Sequence, residues 1–210
     1  MNTELHTKLI SDGYLSFDLD IKTKEKLKPI ANKIKQIEFT HLRHTGCGTS
    51  DSSIDSFENL EKLKQEYAPL KKWQVWYQDN NFRTKITDDE YSFLKEIFTK
   101  IIEDVYPSDS YDINFFINCT MYNKLCYINR HQDGTGGNRL TNILIYLNDD
   151  YIDGMGGEIV INDKKINPEL GKVAILDFSQ NNPIHAVNEV LDENFRRITI
   201  IVELARNTEK

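Results

Sequence analysis

Cysteine is scarce in this sequence. Three residues, Cys47, Cys119 and Cys126, in a chain of 210 are odd in number and show no Cys-x-x-Cys spacing, which excludes a disulfide framework. They read as free thiols. No apolar run approaches the roughly 20 residues that a helix needs to cross a bilayer. The opening MNTELHTKLISDG also lacks the basic-then-apolar order of a secretion signal. A cytoplasmic protein with no membrane association is expected. Basic residues are outnumbered, 26 Lys and Arg against 33 Asp and Glu for a net charge of -7. No Lys/Arg stripe interleaved with aromatics follows a phosphate backbone, so nucleic acid is not the expected partner. Repeats and low-complexity tracts are absent. What is present, 39% hydrophobic and 28% charged residues, is the balance of one globular domain, here spanning 1–210.

The pattern changes along the chain. From Lys22 to Val105 a helical period dominates. It is clearest at Leu94, Ile97, Phe98, Ile101, Ile102 and Val105, which line one face of a helix. Thr87 and Glu90 precede that face with the spacing of a capping box. A second helix is predicted with Leu27, Ile30, Ile34 and Ile37 on its buried side. From about Ile113 the pattern becomes short apolar runs broken by Gly, Asn, Asp and Pro: INFFINCTMY, LTNILIYLN, GEIVI, KVAILDF and RRITIIVEL. These read as strands of an antiparallel barrel or sandwich. The expectation is a mixed α+β fold dominated by β. Residues 1–112 would supply mainly helical support and substrate-side loops, and 113–206 a jelly-roll core. The Gly- and Ser-rich stretch 40–57 reads as a loop, either a surface connection or a lid.

Within NRHQDGTGG, His131 and Asp133 stand one residue apart at a strand end, where residues i and i+2 share a face. Acidic residues are common enough here, 33 of 210, that this spacing alone decides little. His185, in NNPIHAV just beyond the strand KVAILDF, supplies a candidate third ligand. Two imidazoles and one carboxylate form the facial triad of non-haem Fe(II) oxygenases. Three ligands leave room on an octahedral ion for a bidentate 2-oxo acid and O2. The far carboxylate of 2-oxoglutarate would then need a buried cation. The strand FRRITIIVEL offers Arg196 or Arg197, and Tyr146 offers a phenolic hydroxyl.

The ordered set HxD, YLN, GGE, distal His and basic strand, over 118–204, resembles the 2-oxoglutarate/Fe(II) oxygenase superfamily. Within it the sequence resembles the catalytic core of the hypoxia-factor prolyl hydroxylases. The resemblance implies a double-stranded β-helix and a dioxygenase with Fe(II), 2-oxoglutarate and O2. His131, Asp133 and His185 would be the catalytic metal ligands, and Arg197, Tyr146 and Tyr122 the co-substrate residues. It also implies hydroxylation rather than halogenation, because the carboxylate ligand is retained. Adjacent strand residues face opposite sides, and Arg197 with Thr199 resembles the family's R-x-S element, so Arg197 and Thr199 are expected to face the barrel. The implied substrate is a prolyl residue, or a free or carrier-bound amino acid. The alternatives are another amino acid, a small metabolite, or a metal-binding jelly roll that only binds ligand. Neither substrate nor oligomeric state is readable from the sequence. The motif His41-x-x-His44-x-x-Cys47 lacks a nearby fourth ligand for a closed zinc site. Gly156 and Gly157 read as turn and close-packing residues, and Trp73 and Trp76 as core or strand aromatics.

Overall fold

The computed structural model describes residues 3–37, 42–46, 52–54, 65, 73–79, 82–106, 117–133 and 139–205. Helix α1 (Thr3–Asp12) leads into strand β1 (Tyr14–Asp18) and helix α2 (Ile21–Lys35). Strands β2 (Leu42–Gly46), β3 (Ser52–Ile54) and β4 (Trp73–Asp79) follow, then a single 3-10 turn and helix α3 (Asp88–Val105). The remaining strands are β5 (Ile117–Tyr122), β6 (Ile128–His131), β7 (Arg139–Tyr146), β8 (Ile159–Ile161), β9 (Lys164–Ile166), β10 (Lys172–Asp177), β11 (His185–Val187) and β12 (Arg197–Ala205).

Helix α3 begins where its sequence dictates. Thr87 accepts from the Glu90 amide at 3.2 Å, and the Glu90 carboxylate accepts from the Thr87 amide at 2.6 Å, so two amides with no partner inside the helix are satisfied. Its six periodic apolar residues are all buried. Helix α2 is capped by Asp20 and buries Leu27, Ile30, Ala31 and Ile34.

The strands form two antiparallel sheets, one ordered β1-β10-β7-β12-β5-β4-β2-β3 and a smaller one ordered β6-β11-β8-β9. Strand alternation divides the core. Ile143, Ile145, Val173, Ile175, Ile198, Ile200 and Val202 join Leu27, Ile30, Leu94 and Phe98 in one cluster, so this face of the large sheet is covered by helices. The opposite face presents Leu144, Tyr146, Ala174 and Leu176 to Ile159, Ile161 and Ile166 of the small sheet. The interior between the two sheets is where the site lies.

The N-terminal part supplies strands as well as helices α1, α2 and α3. Strand β1 pairs with β10, and β4 pairs with β5, so the first half of the chain extends the large sheet at both edges. The stretch read as a loop over 40–57 contains β2 and β3, which pair with each other. Tertiary pairing overrides the local composition there. Trp73 and Trp76 lie on β4. His41 and Cys47 fall outside the described residues. Among the described residues, no helix is long and apolar enough to cross a membrane.

Candidate active site

The two sheets bring His131, Asp133 and His185 together. His131 ends β6 and His185 begins β11, and the two are direct cross-strand partners, with ring centroids 4.2 Å apart. Asp133 follows two residues after His131. One ligand atom from each of the three lies within 4.8 Å of the others. The Asp133 carboxylate is 3.5 Å from His131 Nε2 and 3.8 Å from His185 Nε2.

Both rings are oriented from behind. His131 Nδ1 is 2.8 Å from the Asn129 carbonyl and His185 Nδ1 is 3.0 Å from the Pro183 carbonyl. A carbonyl only accepts, so each Nδ1 carries the proton and each neutral ring keeps its Nε2 lone pair for a ligand. Burial lowers the His131 pKa, but the Asp133 carboxylate and the Asn129 carbonyl outweigh it and hold it above its ordinary value. A convergent pair of Nε2 lone pairs and one carboxylate fits a divalent first-row metal.

Further inside, Arg197 is 1% exposed. It stands directly opposite Tyr122, while Thr199 stands opposite both Thr120 and Tyr146. Arg197 Nε donates to the Gly157 carbonyl at 2.7 Å, and Nη2 approaches the Tyr146 hydroxyl at 3.4 Å. Its guanidinium carbon lies 4.5 Å from the Tyr122 ring centroid and 5.0 Å from that of Tyr146. No carboxylate among the described residues pairs with it. A buried cation with only part of its donor fork engaged fits an anionic ligand with a planar terminal carboxylate. The buried Thr199 Oγ1 likewise has no hydrogen-bond partner among the described residues. Burial pushes the phenols of Tyr122 and Tyr146 upward, against the pull of Arg197, so both stay protonated donors. Arg196 faces outward, with Nη1 donating to the Lys35 carbonyl at 3.1 Å.

Glycine is required at 156 and 157. Both have φ of +80°; a Cβ on Gly156 would lie 2.0 Å from the Glu189 carbonyl oxygen, and one on Gly157 would meet Arg197 Cδ at 3.1 Å.

Residues 117–202 match the family model described as the 2OG-Fe(II) oxygenase superfamily. The match spans the three clustered donors, His131, Asp133 and His185, and the buried Arg197. No curated protein matches the sequence. Solved structures share the double-stranded β-helix fold. A Trichoplax adhaerens prolyl hydroxylase, solved with a peptide fragment of the hypoxia-inducible factor oxygen degradation domain, superposes with a TM-score of 0.65 at 14% identity, covering 97% of this chain and 88% of that one. A Pseudomonas putida prolyl-4-hydroxylase gives 0.59 at 12% identity, covering 98% of both chains. The non-haem α-ketoglutarate-dependent epimerase SnoN of nogalamycin biosynthesis gives 0.60 at 9% identity, covering 97% and 82%.

Several residues of the oxygenase core carried no signal in the sequence. Asn142 Nδ2 lies 3.5 Å from Asp133 Oδ2. Its only trace is parity, since Asn142, Leu144 and Tyr146 share the inward face of β7 and an amide interrupts an otherwise apolar row. Asp177 accepts from the amides of Ser179, Gln180 and Asn181 at 3.1 to 3.3 Å and from the Ser179 hydroxyl at 2.5 Å. It shapes the turn between β10 and His185. Asn182 bonds the loop of Asp133 from the other side.

Proposed function

We propose that the protein is a prolyl-hydroxylase-like enzyme that hydroxylates an unactivated carbon-hydrogen bond in an amino-acid-like, peptide or protein substrate. In this reading His131, Asp133 and His185 hold Fe(II), through the two Nε2 atoms and a carboxylate oxygen. Arg197 and Tyr146 take the distal carboxylate of 2-oxoglutarate, with Thr199 and Tyr122 beside them. The observation that carries the assignment is the buried guanidinium of Arg197, without a carboxylate among the described residues and beside Tyr146, which packs against Ile159 and Ile161 of the small sheet that carries both histidines. Bound together, Fe(II) and 2-oxoglutarate supply O2 activation, with succinate and CO2 as co-products.

The chain's own contribution is positioning and exclusion of water. The carbonyls of Asn129 and Pro183 fix the histidine tautomers. Protonated Tyr146 donates to the co-substrate carboxylate, and the Tyr122 ring supports the guanidinium from its face. Leu144, Ile159, Ile161 and Leu176 wall the interior with apolar side chains, which strengthens the charge-assisted contacts.

Support for a prolyl substrate comes from two prolyl hydroxylases among the solved structures of similar fold, one of them with a peptide bound. The similar fold of an epimerase keeps other substrates and outcomes in competition. The test is substrate-stimulated succinate formation over a panel of prolyl peptides, free proline and other free amino acids, with mass analysis for one added oxygen. Stimulation and oxygen insertion confined to a non-prolyl substrate would overturn the prolyl reading. Succinate formed alongside a product without added oxygen would overturn hydroxylation.

A further inference from the structure

The ladder between β6 and β11 ends at the pair His131 and His185, yet the ligand Asp133 lies beyond that end. Two side-chain amides continue the connection. Asn182 Nδ2 donates to the Asp133 backbone carbonyl at 2.7 Å, and Gln132 Nε2 donates to the Asn182 carbonyl at 2.7 Å. They form a reciprocal strap between the loop that carries the carboxylate ligand and the segment that leads, through Pro183, to the distal histidine. Asn182 adopts φ +37°, in the left-handed region that Asn tolerates better than most residues. Its Oδ1 is buried with no donor among the described residues, and its N–H side makes the contact. The segment is held from the other end as well: Asp177 caps the preceding turn, and the Asn162 amide donates to the Ile184 carbonyl at 3.0 Å.

We propose that Asn182 is a positioning residue for the metal centre. Through its bond to the Asp133 carbonyl, paired with Gln132, it sets the carboxylate at its distance from the two imidazoles before a metal arrives. The physical reason is preorganisation. Asp133 follows a strand end, and the strap fixes its backbone there while the Asn142 amide approaches its carboxylate, so less of its position is left to be set on binding, at the expense of affinity. Groups one shell behind a metal ligand typically change metal affinity by about 10- to 100-fold. The inference rests on reading His131, Asp133 and His185 as the metal ligands.

The test measures Mn(II) affinity of the full chain by the electron paramagnetic resonance signal of free Mn(II), without turnover. Asn182→Gly keeps the left-handed backbone and removes the amide; it should bind Mn(II) about tenfold more weakly or worse. Gln132→Ala, at an exposed position, keeps the fold safe and should weaken Mn(II) by about fivefold, the worth of one hydrogen bond. At saturating Mn(II), 2-oxoglutarate affinity should be unchanged in both. Metal-free melting of Asn182→Gly should stay within about 4 °C of the parent. Asn182→Ala, which removes the same amide and strains φ, should lose at least as much Mn(II) affinity as the glycine variant. Parent-like Mn(II) affinity in both Asn182→Gly and Gln132→Ala would overturn the proposal. So would loss in Asn182→Ala alone, because backbone conformation rather than the amide would then position the loop. A parent chain that binds no Mn(II) would overturn the ligand reading itself, which is a distinct result.

Discussion

Arg197→Met should leave the metal-free fold standing while removing most of the affinity for 2-oxoglutarate. The guanidinium is 1% exposed, with one good hydrogen bond to the Gly157 carbonyl and a long one to Tyr146. It therefore stays buried as a cation without an anion, which destabilises the metal-free protein. Apolar replacement of buried charge is often neutral or stabilising by about 1–4 kcal/mol. Against this, the Gly157 carbonyl loses its donor, at a cost of about 1–3 kcal/mol. The two effects nearly cancel, and the metal-free melting temperature should move by no more than about 4 °C. Co-substrate binding has no such compensation. Leaving a buried carboxylate without its charge-assisted partner costs about 2–5 kcal/mol, which corresponds to about 30-fold to 5,000-fold in Kd. The assay is calorimetric titration of 2-oxoglutarate into the Mn(II)-loaded variant, beside thermal melting of the metal-free chain and the same titration of Arg196→Ala. That outward-facing arginine bonds the Lys35 carbonyl, so its variant should bind like the parent. A Met variant within about threefold of the parent, or an Arg196 variant weaker than the Met variant, would refute the reasoning.

His131→Ala and Asp133→Ala should abolish turnover and weaken metal binding with melting little changed, because both side chains are partly exposed at the barrel mouth; metal titration and melting of each variant check this. Gly157→Ala should lower stability by about 1–3 kcal/mol, from positive φ and overpacking together, and weaken 2-oxoglutarate by displacing Arg197; denaturant melts and co-substrate titration read the two effects. Since His131 titrates above its ordinary value, protons compete with metal: affinity should rise with pH and level off once His131 has lost its proton. In the metal-free protein the same shift acts in the opposite direction. Its stabilisation is fully present below about pH 6.5, the unfolded value, and is lost as pH rises through the folded one, so melting with and without metal should diverge toward alkaline pH. Thr87→Ala should cost about 1 kcal/mol by breaking the cap of α3, measured by urea denaturation without loss of metal affinity.

Local rules account for what was legible. The period at Leu94 to Val105 and the Thr87/Glu90 pair describe α3 because both act within a few residues. Parity on β12, together with the resemblance of Arg197 and Thr199 to an R-x-S element, was enough to turn Arg197 and Thr199 inward and Arg196 outward, because the alternation of the strand is unbroken from 197 to 204. The reading was weakest where structure depends on distant partners. Strand β1, YLSFD, is held by β10 across most of the chain, and β4 joins the sheet through β5; nothing within those segments names either partner. Asn182, Gln132 and Asp177 escaped notice for the same reason. Amides and carboxylates in polar turns are ubiquitous, and only the fold shows which of them face a ligand loop.

The most direct test of the central claim is spectroscopic. Fe(II) and 2-oxoglutarate are added to the full chain without oxygen, and the visible region is recorded before and after air is admitted, with succinate then quantified. The account predicts a weak charge-transfer band from the chelated 2-oxo acid, its decay in air with succinate formed, and no band in Asp133→Ala or Arg197→Met at the same concentrations. No band and no succinate from the parent chain, or an undiminished band in both variants, would contradict it.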